Sequence, residues 1–559
     1  MGTGVERRTF EMIDDDDDKA REDLARYGNE NDRRDMTRLG RIQEMRRNFK
    51  SLTVIGFCAI FMCSWESLLF TAYIALNNGG SAGLIYTWIV AWVGFNAVYA
   101  SMGEMASIAP TTGGQYHWVS EFAPPGNQAF LSYVIGEPGL DTRNADGRRV
   151  VVGSFPGWLG VLGWQTLVTS IAFQAGTLTQ GLLALNYDTY EFQRWHGTML
   201  VIAVIVFAFT FNTMLASRLN LVEGAILVVH IFGFFCILVP LWVLAPRAPS
   251  RIVWTEFHDG GWNNIGLSTL IGSMASFLPL LGADASVHMA EEVQDAARTL
   301  PISMMWSVNI NALMGWLTAI TFCYCIGDLE QVLQTKTRIP FIQVVFNVTQ
   351  SYRATNFMVC IVLLMVTFSC VTIMAGASRQ MYAFGRDKGL PGSPWLSHVH
   401  PTLGVPVNAV FMSTLISILL SLINIGSSVA FENLVALGSG TVMISYIVCI
   451  GCFIWRQHSG EPIPPAKFSL GSWSLPVNMI ALCYLSVVFV VVFFPQAPLP
   501  LLTAESMNWS SLIFTVVVAW AMAYYFIWSR RVYEGPVKIT KQSQAGTDVS
   551  RSAECSRTL

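Results

Sequence analysis

Apolar runs of about twenty residues recur along this 559-residue chain, the length an α-helix needs to cross the roughly 30 Å hydrocarbon core of a bilayer. With no water at that depth, every backbone N–H and C=O must be satisfied within the segment or in a closed barrel. Runs of this length therefore read as membrane helices. Composition agrees. The chain is 53% hydrophobic and 13% charged, where a soluble protein carries about a quarter charged residues. The expected fold class is an all-α polytopic membrane protein with twelve transmembrane helices. These fall near 51–76, 84–107, 130–180 (interrupted), 196–214, 220–245, 264–289, 301–326, 355–382, 405–425, 431–455, 476–495 and 509–530.

Polar flanks organise the rest. Residues 1–35 form a mixed-charge tail, expected to be disordered and cytoplasmic. In 36–50, Met36, Leu39, Ile42, Met45 and Phe49 recur at helical spacing between Arg38, Arg41, Arg46, Arg47 and Lys50. That pattern predicts an amphipathic juxtamembrane helix on an anionic leaflet. The transmembrane domain then fills 51–530, and 531–559 is a cytoplasmic C-terminal tail. The Lys/Arg bias sets the topology: the N-terminal tail, Arg218, Arg298, Arg379, Arg386, Lys388, Arg456, Lys467, Arg530 and Arg531 fall on one side, which positive-inside makes cytoplasmic for both termini. The sequons at Asn347 and Asn508 then lie outside, close to the membrane. The 11 cysteines sit mostly inside apolar runs and read as small core residues, and His398 and His400 lack a third ligand, so no metal is expected. No phosphate loop or nucleophile elbow is found, and Gly438–Val442 reads as helix packing, which excludes an enzyme, a cofactor and a nucleic-acid partner.

Four blocks carry a resemblance. They are "GEMASIAPTTGGQYHW" (103–118), "WESLLFTAYIALNNGGSAGLIY" (65–86), "LLGADASVHMAEEVQDAARTLPISMMWSVNIN" (280–311) and "SRQMYAFGRDKGLPGSPWLSHVHPTLGVPVNAV" (378–410). The first has no Arg or Lys in the place where a competing twelve-span superfamily carries a Gly-Asp-Arg-Arg motif. Together the blocks resemble the amino acid–polyamine–organocation (APC) superfamily, and most of all its fungal amino-acid, GABA and choline permeases. The resemblance implies the LeuT/APC-like fold: an inverted five-helix repeat plus two C-terminal helices, with spans one and six unwound around the substrate. Freed N–H groups and half-helix dipoles would receive a carboxylate there, and freed carbonyls a cation.

The local sequence supplies candidates for such a site. Glu66 lies mid-span, where a carboxylate costs on the order of 2.5–3.5 kcal/mol and so reads as functional. Beside it Trp65 offers an aromatic face to an ammonium group. Substrate-binding candidates are Ser64, Trp65, Glu66, Ser67, Gly282 and Asp284. Ion-coupling candidates are Glu66, His230, Asp284, His288, Ser369 and Thr372. His230 stands in span five, where some bacterial relatives use a lysine that this chain lacks. For Glu66 the alternative is a structural pair with a neighbouring span, for His230 a packing role, and for Asp284 and His288 a helix end at the interface. Trp164 and Gln165 are candidate cavity wall.

Relatives read through the third span without the polar stretch at 137–157, and deleting Glu137–Gly157 restores their pattern as "SYVIGWLGVLGWQ". The insert is either a retained intron or a cytoplasmic loop, in which case the span starts at Pro156. The resulting functional expectation is a proton symporter in the plasma membrane that imports choline, GABA or an amino acid. An exchanger or exporter on a vacuolar membrane, and a non-transporting nutrient sensor, remain open beside it.

Overall fold

The computed structural model describes residues 27–124, 156–495, 498, 501–503 and 507–527. Their regular secondary structure is helical, apart from one isolated parallel bridge between Phe49 and Val293. In chain order the helices that matter here are α1 (Glu30–Arg38), α2 (Ser51–Met62), α3 (Ser64–Asn77), α4 (Gly80–Ile108), α5 (Gln115–Phe122), α6 (Pro156–Asn186), α7 (Arg194–Thr213), α8 (Leu219–Leu244), α9 (Ile265–Gly272), α10 (Met274–Phe277), α11 (Ala285–His288), α12 (Ala296–Cys325), α13 (Pro340–Thr349), α14 (Tyr352–Arg386), α15 (Val407–Ser421), α16 (Ser428–His458), α17 (Ser474–Val491) and α18 (Ser510–Ile527). Among the described residues, ten helical stretches are long and apolar enough to cross a membrane. Two further helices, α6 and α18, occupy the places expected of spans three and twelve. Most of residues 137–157 lies outside the described residues, and α6 begins at Pro156.

The centre of the bundle is made of the helices that break. Between α2 and α3 the chain turns at Cys63, whose φ of 45° and ψ of 47° are left-handed, without a glycine or proline to force it. Tertiary bonds hold the turn instead: Ser64 N–H donates to Asn311 Oδ1 at 3.4 Å, and Ser64 Oγ donates to the Pro279 carbonyl at 2.6 Å. The second break runs from Leu278 to Asp284. Pro279 has no N–H to give, Leu281 is extended, and Gly282 takes φ +107°, a conformation open to glycine. Tyr99 of α4 holds three of the backbone groups freed at the second break: its hydroxyl donates to the Leu280 carbonyl at 2.8 Å and accepts from Gly282 N–H at 2.8 Å and Ala283 N–H at 3.2 Å. Around this centre α4 packs along α12, and α6 along α14 and α16. On the bundle's outer face, Phe232 and Val243 of α8 are 66% and 73% exposed, which suits a lipid-facing surface.

The N-terminal segment departs from expectation. The helix is α1, Glu30–Arg38, and residues 41–48 hold no helix. An Asn29–Asp32 capping box starts α1, and Gly40 at φ +60° follows its end. The apolar residues that suggested an amphipathic helix over 36–50 do alternate with basic ones, but Met36, Leu39, Met45 and Phe49 are buried in protein. Ile42 alone of the five is exposed, and backbone and side-chain bonds tie the segment to the bundle. Phe49 N–H donates to the Glu292 carbonyl at 3.0 Å, Gln294 N–H to the Phe49 carbonyl at 3.0 Å, and Arg47 to the carbonyls of Ala290 and Val293. Order therefore begins before residue 36. The bundle face that this segment covers is called basal below, and the opposite face distal.

Candidate functional site

A cavity of about 550 Å³ opens where the two breaks meet and reaches the distal loops. Phe61, Met62, Ser67 and Thr71 line it from α2 and α3, Pro279 and Leu281 from the second break, Ser170 and Gln174 from α6, and Arg338 from the loop before α13. Its volume and its mainly apolar wall with a few polar groups suit a small solute. Arg338 is the one charged side chain on that wall among the described residues, and its guanidinium lies 4.8 Å above the Phe192 ring.

Of the predicted binding residues, Ser67 lines the cavity. The others do not line it. Ser64 ties the first break to the second, and Gly282 provides the left-handed turn. Trp65 is fully buried, 6.0 Å from the rings of both His230 and Phe234. Glu66 turns away from the cavity, and its Oε1 lies 2.8 Å from His230 Nδ1, with both side chains at 0% exposure. Glu66 Oε2, His230 Nε2 and Trp65 Nε1 have no hydrogen-bond partner among the described residues. The pair can hold one proton in two places, on the carboxyl with both groups neutral or on the imidazole as an ion pair. A buried site with this choice is a site where protonation can be coupled to conformation.

Asp284 and His288 are close in sequence and held by different partners. Asp284 accepts from Gln115 Nε2 at 2.5 Å and from the Tyr446 hydroxyl. His288 Nδ1 lies 3.0 Å from the Thr112 carbonyl, so that nitrogen carries the hydrogen, and its ring meets Trp164 edge-on at 4.9 Å. Trp164 also contacts Phe61 at 5.2 Å and forms the floor beneath the cavity. Gln165 instead donates to Ser413 Oγ at 3.0 Å, while the polar part of the α6 wall is built further on, by Ser170 and Gln174. Ser369 Oγ donates to the Phe61 carbonyl at 3.0 Å, and Thr372 Oγ1 lies 2.9 Å from Glu223 Oε1. Both hydroxyls thus face protein groups.

Below that floor the basal face is closed by ion pairs. Arg386 bonds both carboxylate oxygens of Glu291, at 2.7 and 2.9 Å. Arg379 donates to Glu292 at 2.9 Å and Arg41 reaches Asp387 at 2.7 Å. Asp32, 3.3 Å from Arg47, accepts from the N–H groups of Asp295 and Ala296 at 3.0 and 3.2 Å and so caps the start of α12. Burial alone would raise the Glu291 carboxyl, but Arg386 and then Arg41 outweigh it and hold it down at about 2. Asp387 is likewise lowered against its burial by Arg41 and Arg386. His117 in α5 is pushed down to about 3, by burial first and then by Arg41.

Sequence reasoning missed Tyr99, Gln115, Tyr446 and Glu223. The first three look like ordinary side chains in an apolar helix or a loop, and only the tertiary fold aims them at the second break. Glu223 carried a signal, a carboxylate inside the expected fifth span.

Comparison with known proteins follows the same lines. A family model described as amino acid permease matches residues 48–519. A protein of Macrophomina phaseolina named as an amino acid/polyamine transporter is 29% identical over 82% of this chain and 97% of its own length. The choline transporter of Saccharomyces cerevisiae is 25% identical over 86% of this chain and 81% of its own. The GABA-specific permease of the same yeast is 26% identical over 90% and 86%.

Proposed function

The chain belongs to the amino acid permease family, and from that premise we propose that it imports a small amine-bearing solute across the plasma membrane by proton symport. It does so through twelve spans arranged as inverted five-helix repeats plus two helices, with the basal face and both termini in the cytoplasm. The observation that carries this reading is the cavity at the two helix breaks, reaching one face and sealed from the other. That is one half of an alternating-access cycle. Basal Arg and Lys residues support the orientation.

Among choline, GABA and amino acids, the wall chemistry favours the two that carry a carboxylate. Glu66 is engaged by His230 and leaves no anion to meet a bare cation, while Arg338 stands at the entrance. The solute's carboxylate passes Arg338 and settles against the backbone at the breaks, with its ammonium group toward Ser67 and Thr71. The Glu66–His230 pair lies just behind the cavity wall and carries the coupled proton.

The test is uptake of radiolabelled GABA, several amino acids and choline by cells expressing the chain, with and without a proton uncoupler. GABA or an amino acid should accumulate, and the uncoupler and Glu66→Gln should each abolish accumulation. Choline as the preferred solute would reject the carboxylate assignment. Uptake indifferent to the uncoupler or to Glu66→Gln would reject proton coupling through this pair.

A further inference from the structure

Glu223 lies on α8 seven residues before His230, two helical turns and about 10 Å nearer the basal face on the same side of the helix. It is buried, at 2% exposure. Its Oε1 is 2.9 Å from Thr372 Oγ1, and its Oε2 has no partner among the described residues. The same Thr372 Oγ1 is 3.0 Å from the Phe368 carbonyl. A hydroxyl has a single hydrogen to donate, and a backbone carbonyl can only accept. With an ionised Glu223, Thr372 must share that one hydrogen between the carboxylate and the Phe368 carbonyl; with a protonated Glu223 donating to Thr372 Oγ1, both contacts are full two-centre hydrogen bonds.

The surroundings fit a neutral acid. On α2 the facing titratable group is Cys58, whose thiol is turned to the Ala283 carbonyl. On α14, Cys370 is directed at the Val168 carbonyl, and Arg379 is occupied by Glu292, Ser378 and Asn212. On α12 the nearest titratable side chain toward the basal end is Arg298, and α13 carries none. Lys50 and Arg218 stand at the basal ends of α2 and α8, and on α8 itself His230 is held by Glu66. None of these ion-pairs with Glu223 among the described residues. A charged carboxylate left alone at this depth would be costly.

The site is also connected. One turn along α14 from Thr372, Ser369 bonds the Phe61 carbonyl at the first break, beside the cavity. One to two turns in the other direction, Arg379 and Glu292 form part of the basal seal. We propose that Glu223 is a second proton station of this transporter, loaded in the distal-open conformation and discharged to the basal side when the Arg379–Glu292 seal parts. It rests on the proton-symport reading above. The proton leaves the carboxyl as a hydronium or passes to a basal acceptor; Glu223 becomes a carboxylate only once water reaches it, and it is reprotonated through the Glu66–His230 pair.

Infrared spectroscopy of the purified full-length protein tests this without any solute. At neutral pH the wild type should show a protonated-carboxyl C=O band that Glu223→Gln removes, and Thr372→Val should shift that band by removing its hydrogen-bond partner. A spectrum unchanged by both variants would mean that Glu223 is ionised, and would overturn the proposal. Should Glu223→Gln fail to fold, the Thr372→Val shift decides alone. In proteoliposomes, with whichever solute the uptake survey selects, Glu223→Gln should lower proton-driven accumulation more steeply than solute-for-solute exchange. Equal retention of both would remove Glu223 from the proton route. Wild-type accumulation indifferent to a pH gradient would instead sink the symport reading, and would leave the infrared result standing as a separate finding.

Discussion

At the residue scale, the second break depends on a hydrogen atom where any other side chain would stand. A Cβ on Gly282 would lie 2.1 Å from Cε1 of Phe61, and its φ of +107° is strained for any L side chain. Gly282→Ala should therefore displace Phe61 from the cavity wall and cost about 1–3 kcal/mol. The measurement is thermal unfolding in detergent beside uptake, and an unmoved midpoint with normal uptake would refute it. Sequence reasoning found this glycine because Gly and Pro inside an apolar run are visible exceptions. It found Glu66 and His230 for the same reason, since polar atoms in a span stand out. It could not see that the two meet at 2.8 Å, because 164 residues separate them and only packing supplies the pairing. Nor could it see Cys63, where the helix breaks through tertiary bonds and no local signal marks the turn.

At the scale of elements, helices were legible and their ends were not. Ten of the expected spans fall within several residues of the ten long apolar helices among the described residues, because twenty-residue hydrophobicity is a strong signal. The N-terminal segment misled for a physical reason: buried apolar residues alternating with basic ones look alike whether the apolar face meets lipid or protein. The partners that decide the matter belong to distant elements: the carbonyls of Ala290, Glu292 and Val293, and the Asp387 carboxylate. Among the basal carboxylates beside them, Glu291 has 0% exposure and two bonds to Arg386. Replacing one partner of such a pair strands the other, typically at a cost of about 3–5 kcal/mol. Glu291→Gln should accordingly lower the unfolding temperature and raise the reactivity of cysteines introduced below the Trp164 floor from the basal side. Accessibility equal to that of the wild type would show that these ion pairs do not hold the seal.

For the whole molecule, the buried basal groups set a direction of pH dependence. His117 folds with its pKa at about 3 against the usual 6.5. An unfolded chain takes up a proton at this residue below 6.5, and the folded chain does not until about 3. The stability it contributes is thus complete above 6.5 and declines by about 1.4 kcal/mol per pH unit as pH falls from there toward 3. Glu291, at about 2 against the usual 4.5, adds a loss of the same sign as pH falls from 4.5 to 2. Removing this contribution, His117→Gln should make the change in unfolding temperature between pH 7 and pH 5 less unfavourable than in the wild type. A slope identical in the variant would place the titrating group elsewhere.

Asp32 closes the first turn of α12 from a point more than 260 residues earlier in the chain. In practical terms the leading segment is part of the machine's frame. Crystallographers and protein engineers who shorten the N terminus to remove its acidic run need to keep the capping box from Asn29 to Asp32. A cut beyond Asp32 takes away a helix cap and the partner of Arg47 together, and leaves the start of α12 and the basal strap without their common anchor.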